Sequence, residues 1–196
     1  MADDRLLSEE SSLQDRDLLQ RLSIYFDALD SRLRQGQGWF IFNARGGRSG
    51  RIMSFIQQRV STVGDDVSSC IMPWKEFALS AYVREIGLPE LAPAVDGGDS
   101  RVRHEYDLAS QITRGTQAQM LSADLLVLSG LRPAHHHEAL VLDETLEGRY
   151  RRRLATIVLV PDQPQALEAE FRSVDPSRAY WDRLFHRMYE TNLIAI

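Results

Sequence analysis

Three glycines and three arginines fall within Arg45-Gly46-Gly47-Arg48-Ser49-Gly50-Arg51, directly after the apolar run Trp39 to Phe42. Glycine lets backbone N–H groups close around an anion, and arginine adds permanently charged, planar donors suited to phosphate. Beyond this stretch Ile52, Phe55, Ile56 and Val60 recur at helical spacing, so a buried strand leads through a glycine turn into a helix beginning near Gly50. That is the layout in which a phosphate sits at a helix N-terminus.

The catalytic version of such a loop reads G-x-x-x-x-G-K-[ST], with lysine on the β- and γ-phosphates and a hydroxyl on Mg²⁺. With Gly50 as the second glycine, Arg51 takes the lysine position, Ile52 the hydroxyl position and Arg45 the place of the first glycine. Counting from the end of the strand keeps Gly46 but puts Ser49 and Gly50 at the lysine and hydroxyl positions. Neither register yields Gly-Lys-Ser/Thr. Arg51 can hold an anion, whereas Ile52 offers Mg²⁺ no oxygen. The expectation is a P-loop architecture without P-loop catalysis, in which Arg45, Gly46, Gly47, Arg48, Ser49, Gly50 and Arg51 remain as a phosphate- or nucleotide-binding remnant.

Other reactive groupings are weaker. His135-His136-His137-Glu138 follows an apolar run. Neighbouring side chains on an extended segment point apart, so these histidines read first as a solvated polar loop and second as a metal or pH-sensitive contact. No metal site is expected. A Gly-x-Ser-x-Gly nucleophile turn is absent. His104 beside Glu105 and Asp107 fits a surface helix. Arg149, Arg151, Arg152 and Arg153 form a basic cluster that suits either a weak DNA contact or the solvated last turn of a helix.

The elements that must position these groups alternate. A helix with Leu18, Leu22, Phe26, Leu29 and Leu33 on one face starts from a capping box at Ser12 and Asp15 and runs to Arg34, behind a flexible segment 1–10. Strands are expected at Trp39–Phe42, Val67–Met72, Leu125–Leu128, Thr156–Val160 and Leu193–Ile196. Between them lie helices through Trp74, Phe77 and Tyr82, from about Arg101 to Leu121, from Glu138 to Arg152, and from Gln165 to Phe171. A last helix is capped by Asp175 with Pro176 in its first turn and buries Trp181, Leu184, Phe185 and Met188. Residues 87–100, with two prolines and three glycines, read as an exposed loop. Alternating strands and helices imply a parallel sheet covered on both faces, with residues 11–196 as one domain.

Composition sets outer bounds. A hydrophobic content of 43% and a charged content of 26% fit a globular chain, and no apolar run reaches the length of a membrane span. The acidic start Met-Ala-Asp-Asp is not that of a signal peptide, and Cys70 alone allows no internal disulfide, so a cytoplasmic setting is expected. Cys70 reads as a packed, inert thiol. A net charge of −5 does not suit a free-standing DNA binder.

The order of these parts resembles the AAA+ ATPase domain of helicase loaders and transposition helpers typified by DnaC and IstB, over residues 20–196. Gly38 to Met53 matches the family's first strand and Walker A loop. Ala123-Asp124-Leu125-Leu126-Val127-Leu128 resembles its Walker B strand, and Thr156-Ile157-Val158-Leu159-Val160 its sensor 1 strand. Asp182-Arg183-Leu184-Phe185-His186-Arg187 is similar to the segment that carries its arginine finger. The resemblance implies a single P-loop NTPase-like α/β domain with a five-stranded parallel sheet in the order 5-1-4-3-2. It also implies that the Walker B acids fall on Ser129 and Gly130 and the sensor 1 amide on or beside Pro161, where none of the side chains can do the work. A pseudo-ATPase follows. Its expected role is an interaction or regulatory module for a partner AAA+ ATPase or helicase, or for itself, in DNA replication, transposition or a related assembly. It would need no cofactor beyond weakly held ATP or phosphate, and Arg183 or Arg187 would be a candidate finger acting in trans. The alternative is a weak ATP-binding ATPase that uses Arg51 in place of the lysine.

Overall fold

The computed structural model describes residues 2–86 and 115–196. Helices α1 (Ala2–Asp27) and α2 (Leu29–Arg34) lead into strand β1 (Gly38–Ile41). Helix α3 (Gly46–Val63), strand β2 (Ser69–Pro73) and helix α4 (Trp74–Ile86) follow. Residues 115–122 form helix α5. The chain then runs through β3 (Leu125–Ser129), α6 (His136–Arg151), β4 (Ala155–Leu159), α7 (Pro164–Val174), α8 (Ala179–Thr191) and β5 (Asn192–Ala195). The expected loop at 87–100, His104 and most of the expected helix from Arg101 lie outside the described residues. No helix among the described residues is long and apolar enough to cross a membrane.

The five strands form one sheet in the order β2-β3-β4-β1-β5, which is the expected order read from the other edge, and every pairing is parallel. The three central strands β3, β4 and β1 are buried almost throughout, as continuous apolar runs require when helices cover both faces. One face packs Phe40, Leu126, Leu128 and Val158 against α4, α6 and α8. The other packs Trp39, Ile41, Val127 and Ile157 against α1 and α3. Period-two alternation along each strand sends neighbouring residues to opposite layers.

Gly38 sets how closely β1 approaches β4. A Cβ there would sit 1.8 Å from the Thr156 carbonyl oxygen, so only glycine fits. At the other edge Ser68 Oγ and N donate to Asp124 Oδ2 at 2.6 and 2.9 Å, fastening the start of β2 to the start of β3. These bonds, that from Ser68 Oγ foremost, hold the Asp124 carboxyl below the usual range.

Several local expectations shift. α1 begins at Ala2, so Ser12 and Asp15 lie within it and not at its start. The i, i+3 spacing of a capping box also occurs on any helix face, and sequence alone does not separate the two. α3 starts at Gly46, four residues before the expected Gly50, because Arg45 already has the extended conformation of an N-cap. α8 starts at Ala179, with Asp175 accepting from Ser177 N and Tyr180 N in the turn before it.

Arg149 drops out of the basic cluster, whereas Arg151, Arg152 and Arg153 are exposed. Arg149 is 1% exposed and does not face solvent or DNA. Its guanidinium donates to the carbonyls of Met120, Ala123 and Ala155 and to Thr156 Oγ1, joining the end of α5 to the starts of β3 and β4. Burial pulls its pKa down to about 10, so it still carries its charge at neutral pH. Replacing Arg149 with Ala strands three buried carbonyls and leaves a cavity, an expected loss of about 3–5 kcal/mol. Urea unfolding of the variant checks this, and a loss below about 1 kcal/mol would show that the network contributes little.

Candidate functional site

The carboxyl ends of β1, β3 and β4 meet at one edge of the sheet, the edge where α/β proteins place ligands. Only Phe42, Asn43, Ala44 and Arg45 separate β1 from α3, too short for the G-x-x-x-x-G span outside the helix. Gly46, Gly47 and Gly50 therefore belong to α3 itself. The turn is fastened down along its length. Phe42 N donates to Ala195 O at 2.8 Å, Asn43 N to Asp162 O at 3.2 Å, and Ala44 N to Val160 O at 2.9 Å. Asn43 accommodates the bend at φ 56°, and Gly46 at φ 48°.

The side chains around the turn are engaged with one another. Arg48 donates to the carbonyls of Phe42 and Asn43 at 3.4 and 3.2 Å, so the turn presents oxygens to a guanidinium. Arg48 Nε also lies 2.9 Å from Asp15 Oδ1 on α1, close enough for an ion pair although out of line for a hydrogen bond. Arg51 reaches the other oxygen of Asp15. Arg45 donates to Pro161 O at 2.8 Å and to Asp162. Asp162 holds Arg132 as well, and Arg132 pairs with Glu170 at 3.1 Å. The hydrogen bond to Asp162 lifts the Arg132 pKa, and burial raises that of Glu170. Two aspartates thus answer all three arginines of the glycine turn. Ile52, at one hydroxyl position, is buried in the core.

Ser129 closes β3 opposite Leu159 and Pro73, and Gly130 turns away at φ 80° with its N–H on Leu159 O at 2.9 Å. Neither brings a carboxylate to the edge. Among the described residues no three His, Cys, Asp or Glu side chains group as a metal site. His135 stacks on His137 with ring centroids 5.4 Å apart, and His137 leans on Tyr82. His136 Nδ1 lies 3.1 Å from Val174 O, so it docks the α7–α8 turn. Glu138 accepts from Ala134 N at 2.8 Å, tying the loop before α6 to its first turn.

Arg183 and Arg187 lie one turn apart on α8. Arg183 clasps Asp143 through Nε and a terminal nitrogen at 2.8–3.1 Å, and that hydrogen bonding raises its pKa. Its guanidinium also sits 5.2 Å from the Tyr180 ring centre. Arg187 is buried and shared between Asp143, at 2.8 Å, and Glu147. Asp143 and Glu147 on α6 thus face Arg183 and Arg187 on α8. The matching i, i+4 spacings are visible in sequence, and they are the signal by which this network could have been found.

The strands follow the parallel order β2-β3-β4-β1-β5, with a turn-to-helix unit after β1. No protein-family model and no curated protein sequence matches the chain. Solved structures do. The DnaC helicase loader superposes with a TM-score of 0.56 at 12% identity, over 92% of this chain and 88% of that one. AMPPCP-bound DnaA from Aquifex aeolicus gives 0.56 at 14% identity, over 88% of this chain and 44% of that one. DnaI gives 0.50 at 14% identity, over 82% and 70%. The chain spans a little under half the length of the replication-initiator chains it matches. Its fold is that of the AAA+ replication initiators and helicase loaders.

The two arginines of α8 should differ sharply on truncation. Arg187→Ala leaves Asp143 and Glu147 short of a buried partner and should cost about 2–4 kcal/mol. Arg183→Ala removes a half-exposed group and should cost less than about 1 kcal/mol. Thermal unfolding of the two variants checks this, and equal losses would contradict the unequal burial.

Proposed function

We propose that the chain is a non-hydrolysing AAA+-like module that works by docking to a partner ATPase or helicase, or to a further copy of itself, in DNA replication, transposition or a related assembly. The observation that carries this reading is the occupation of the glycine turn by the chain's own ion pairs. Phosphoryl transfer relies on preorganised cations at the β- and γ-phosphates, a metal ligand and a group that orients the attacking water. Here Arg48 and Arg51 face Asp15, and Arg45 faces Asp162. Ser129 and Gly130 stand where the metal ligand and base are needed. The replication setting rests on likeness of fold to DnaC, DnaI and DnaA.

Arg183 keeps a place in this reading. It is the more exposed of the two candidate fingers, and release from Asp143 would let it reach a neighbouring subunit. Arg187, buried beneath it, acts as scaffold.

The second reading, a weak ATPase that uses Arg51, draws on the 58% exposure of the Arg51 side chain. Steady-state phosphate release separates the two. Purified protein with Mg²⁺ and ATP should show no turnover above a no-enzyme control. Turnover abolished by Arg51→Ala would reject the non-hydrolysing reading in favour of the second.

A further inference from the structure

A cavity of about 500 Å³ opens at the amino ends of β1 and β4, at the opposite end of the strands from the glycine turn. Four arginines bound it, Arg34, Arg151, Arg153 and Arg187, and among the described residues no aspartate or glutamate lines it. That is a marked local bias in a chain of net charge −5. Phe40, Leu146 and Leu184 form an apolar floor, each under a tenth exposed. Glu147 holds Arg187 and Arg151 from outside. Arg34 and Arg153 make no ion pair among the described residues.

The cavity is built by a close approach of two turns. A Cβ on Gly36 would lie 2.9 Å from the Arg153 backbone, so the turn after α2 rests directly on the turn after α6. Arg153 adopts φ 55°, a conformation that costs a non-glycine residue energy, and lines the same cavity as Arg34. Helix C-termini explain arginines at the ends of α2 and α6. They do not explain a chamber of nucleotide size with an apolar floor and arginines as its charged lining residues.

We infer that this cavity binds an organic anion of nucleotide size, its planar or apolar body on Phe40, Leu146 and Leu184 and its phosphate or carboxylate groups at Arg34, Arg151 and Arg153. The volume lies within the range of small-molecule sites, and a few charged groups around an apolar chamber give such sites their specificity. Arginine suits the charged end because its planar fork matches phosphate and carboxylate. The site shares no residue with the glycine turn and does not depend on the function proposed above.

Trinitrophenyl-ATP supplies a suitable probe, an aromatic polyanion whose fluorescence rises on binding. Titration should saturate and weaken with added salt. The Arg34→Gln/Arg153→Gly pair removes both unpaired charges, and glycine relieves the positive φ at 153, so folding should survive and circular dichroism checks that it does. This pair should weaken binding about tenfold or more. Arg151→Gln alone supplies a second variant, should the pair unfold, and should weaken binding severalfold. Arg45→Ala/Arg51→Ala should leave binding unchanged. Absence of saturable binding, or binding insensitive to the cavity variants, would overturn the inference. Loss of binding only in the Arg45→Ala/Arg51→Ala variant would overturn it too, and would count against an occupied glycine turn. Displacement of the probe by a thymidine 20-mer but not by ATP would replace the small-molecule site with a single-stranded DNA contact.

Discussion

The structure depends on the position of β1. Its four residues are buried, it pairs with β4 on one side and β5 on the other, and Gly38 holds it against the Thr156 carbonyl without space for a side chain. The glycine turn and the arginine-lined cavity hang from its two ends. At the carboxyl end the strand delivers the short turn into α3. At the amino end Phe40 floors the arginine-rimmed cavity. A strand that cannot shift fixes what each end presents. The burial of Trp39, Phe40 and Ile41, at roughly 1.5–3 kcal/mol for a large apolar side chain, makes such a shift costly.

Charge is distributed as firmly as the apolar core. The arginines of the glycine turn meet Asp15 and Asp162, those of α8 meet Asp143 and Glu147, and Arg149 is spent on backbone carbonyls. An exposed ion pair contributes little, but a pair at 12–14% exposure, such as Asp15 with Arg48, leaves an uncompensated charge if one partner goes. The arginines near the amino ends of β1 and β4 are the contrast, since among the described residues Arg34 and Arg153 have no ion-pair partner.

The sheet was legible because period and length suffice for it. Apolar runs such as Leu125–Leu128 and Thr156–Val160 are too short for helices and too continuous for exposed strands. The resemblance to a family supplied the strand order, which no pattern of hydrophobicity contains. Charged partners were not legible. Asp15 looked like a cap because i, i+3 spacing serves both a cap and a helix face, and nothing local ties it to Arg48. Arg149 looked like one of four solvated arginines, because its acceptors are backbone carbonyls brought close only by the fold. The start of α3 was misplaced at Gly50 because glycine signals a turn wherever it occurs, and its presence in a first helical turn carries no separate mark.

The arginine at position 51 and the aspartate at position 15 make most sense together. A lysine offers one compact, strongly hydrated charge, suited to gripping phosphates that arrive and leave. A guanidinium is flat, less strongly hydrated and forked, so it bridges groups that stay in place, as Arg48 does between Asp15 and the carbonyls of Phe42 and Asn43. An internal carboxylate also competes at a high effective concentration, of the order of millimolar or more for groups tethered in one chain. Phosphate in solution would have to displace a partner already oriented and partly desolvated. The short turn, its arginines and Asp15 all act in the same direction, fastening α1 to α3 and to the sheet edge.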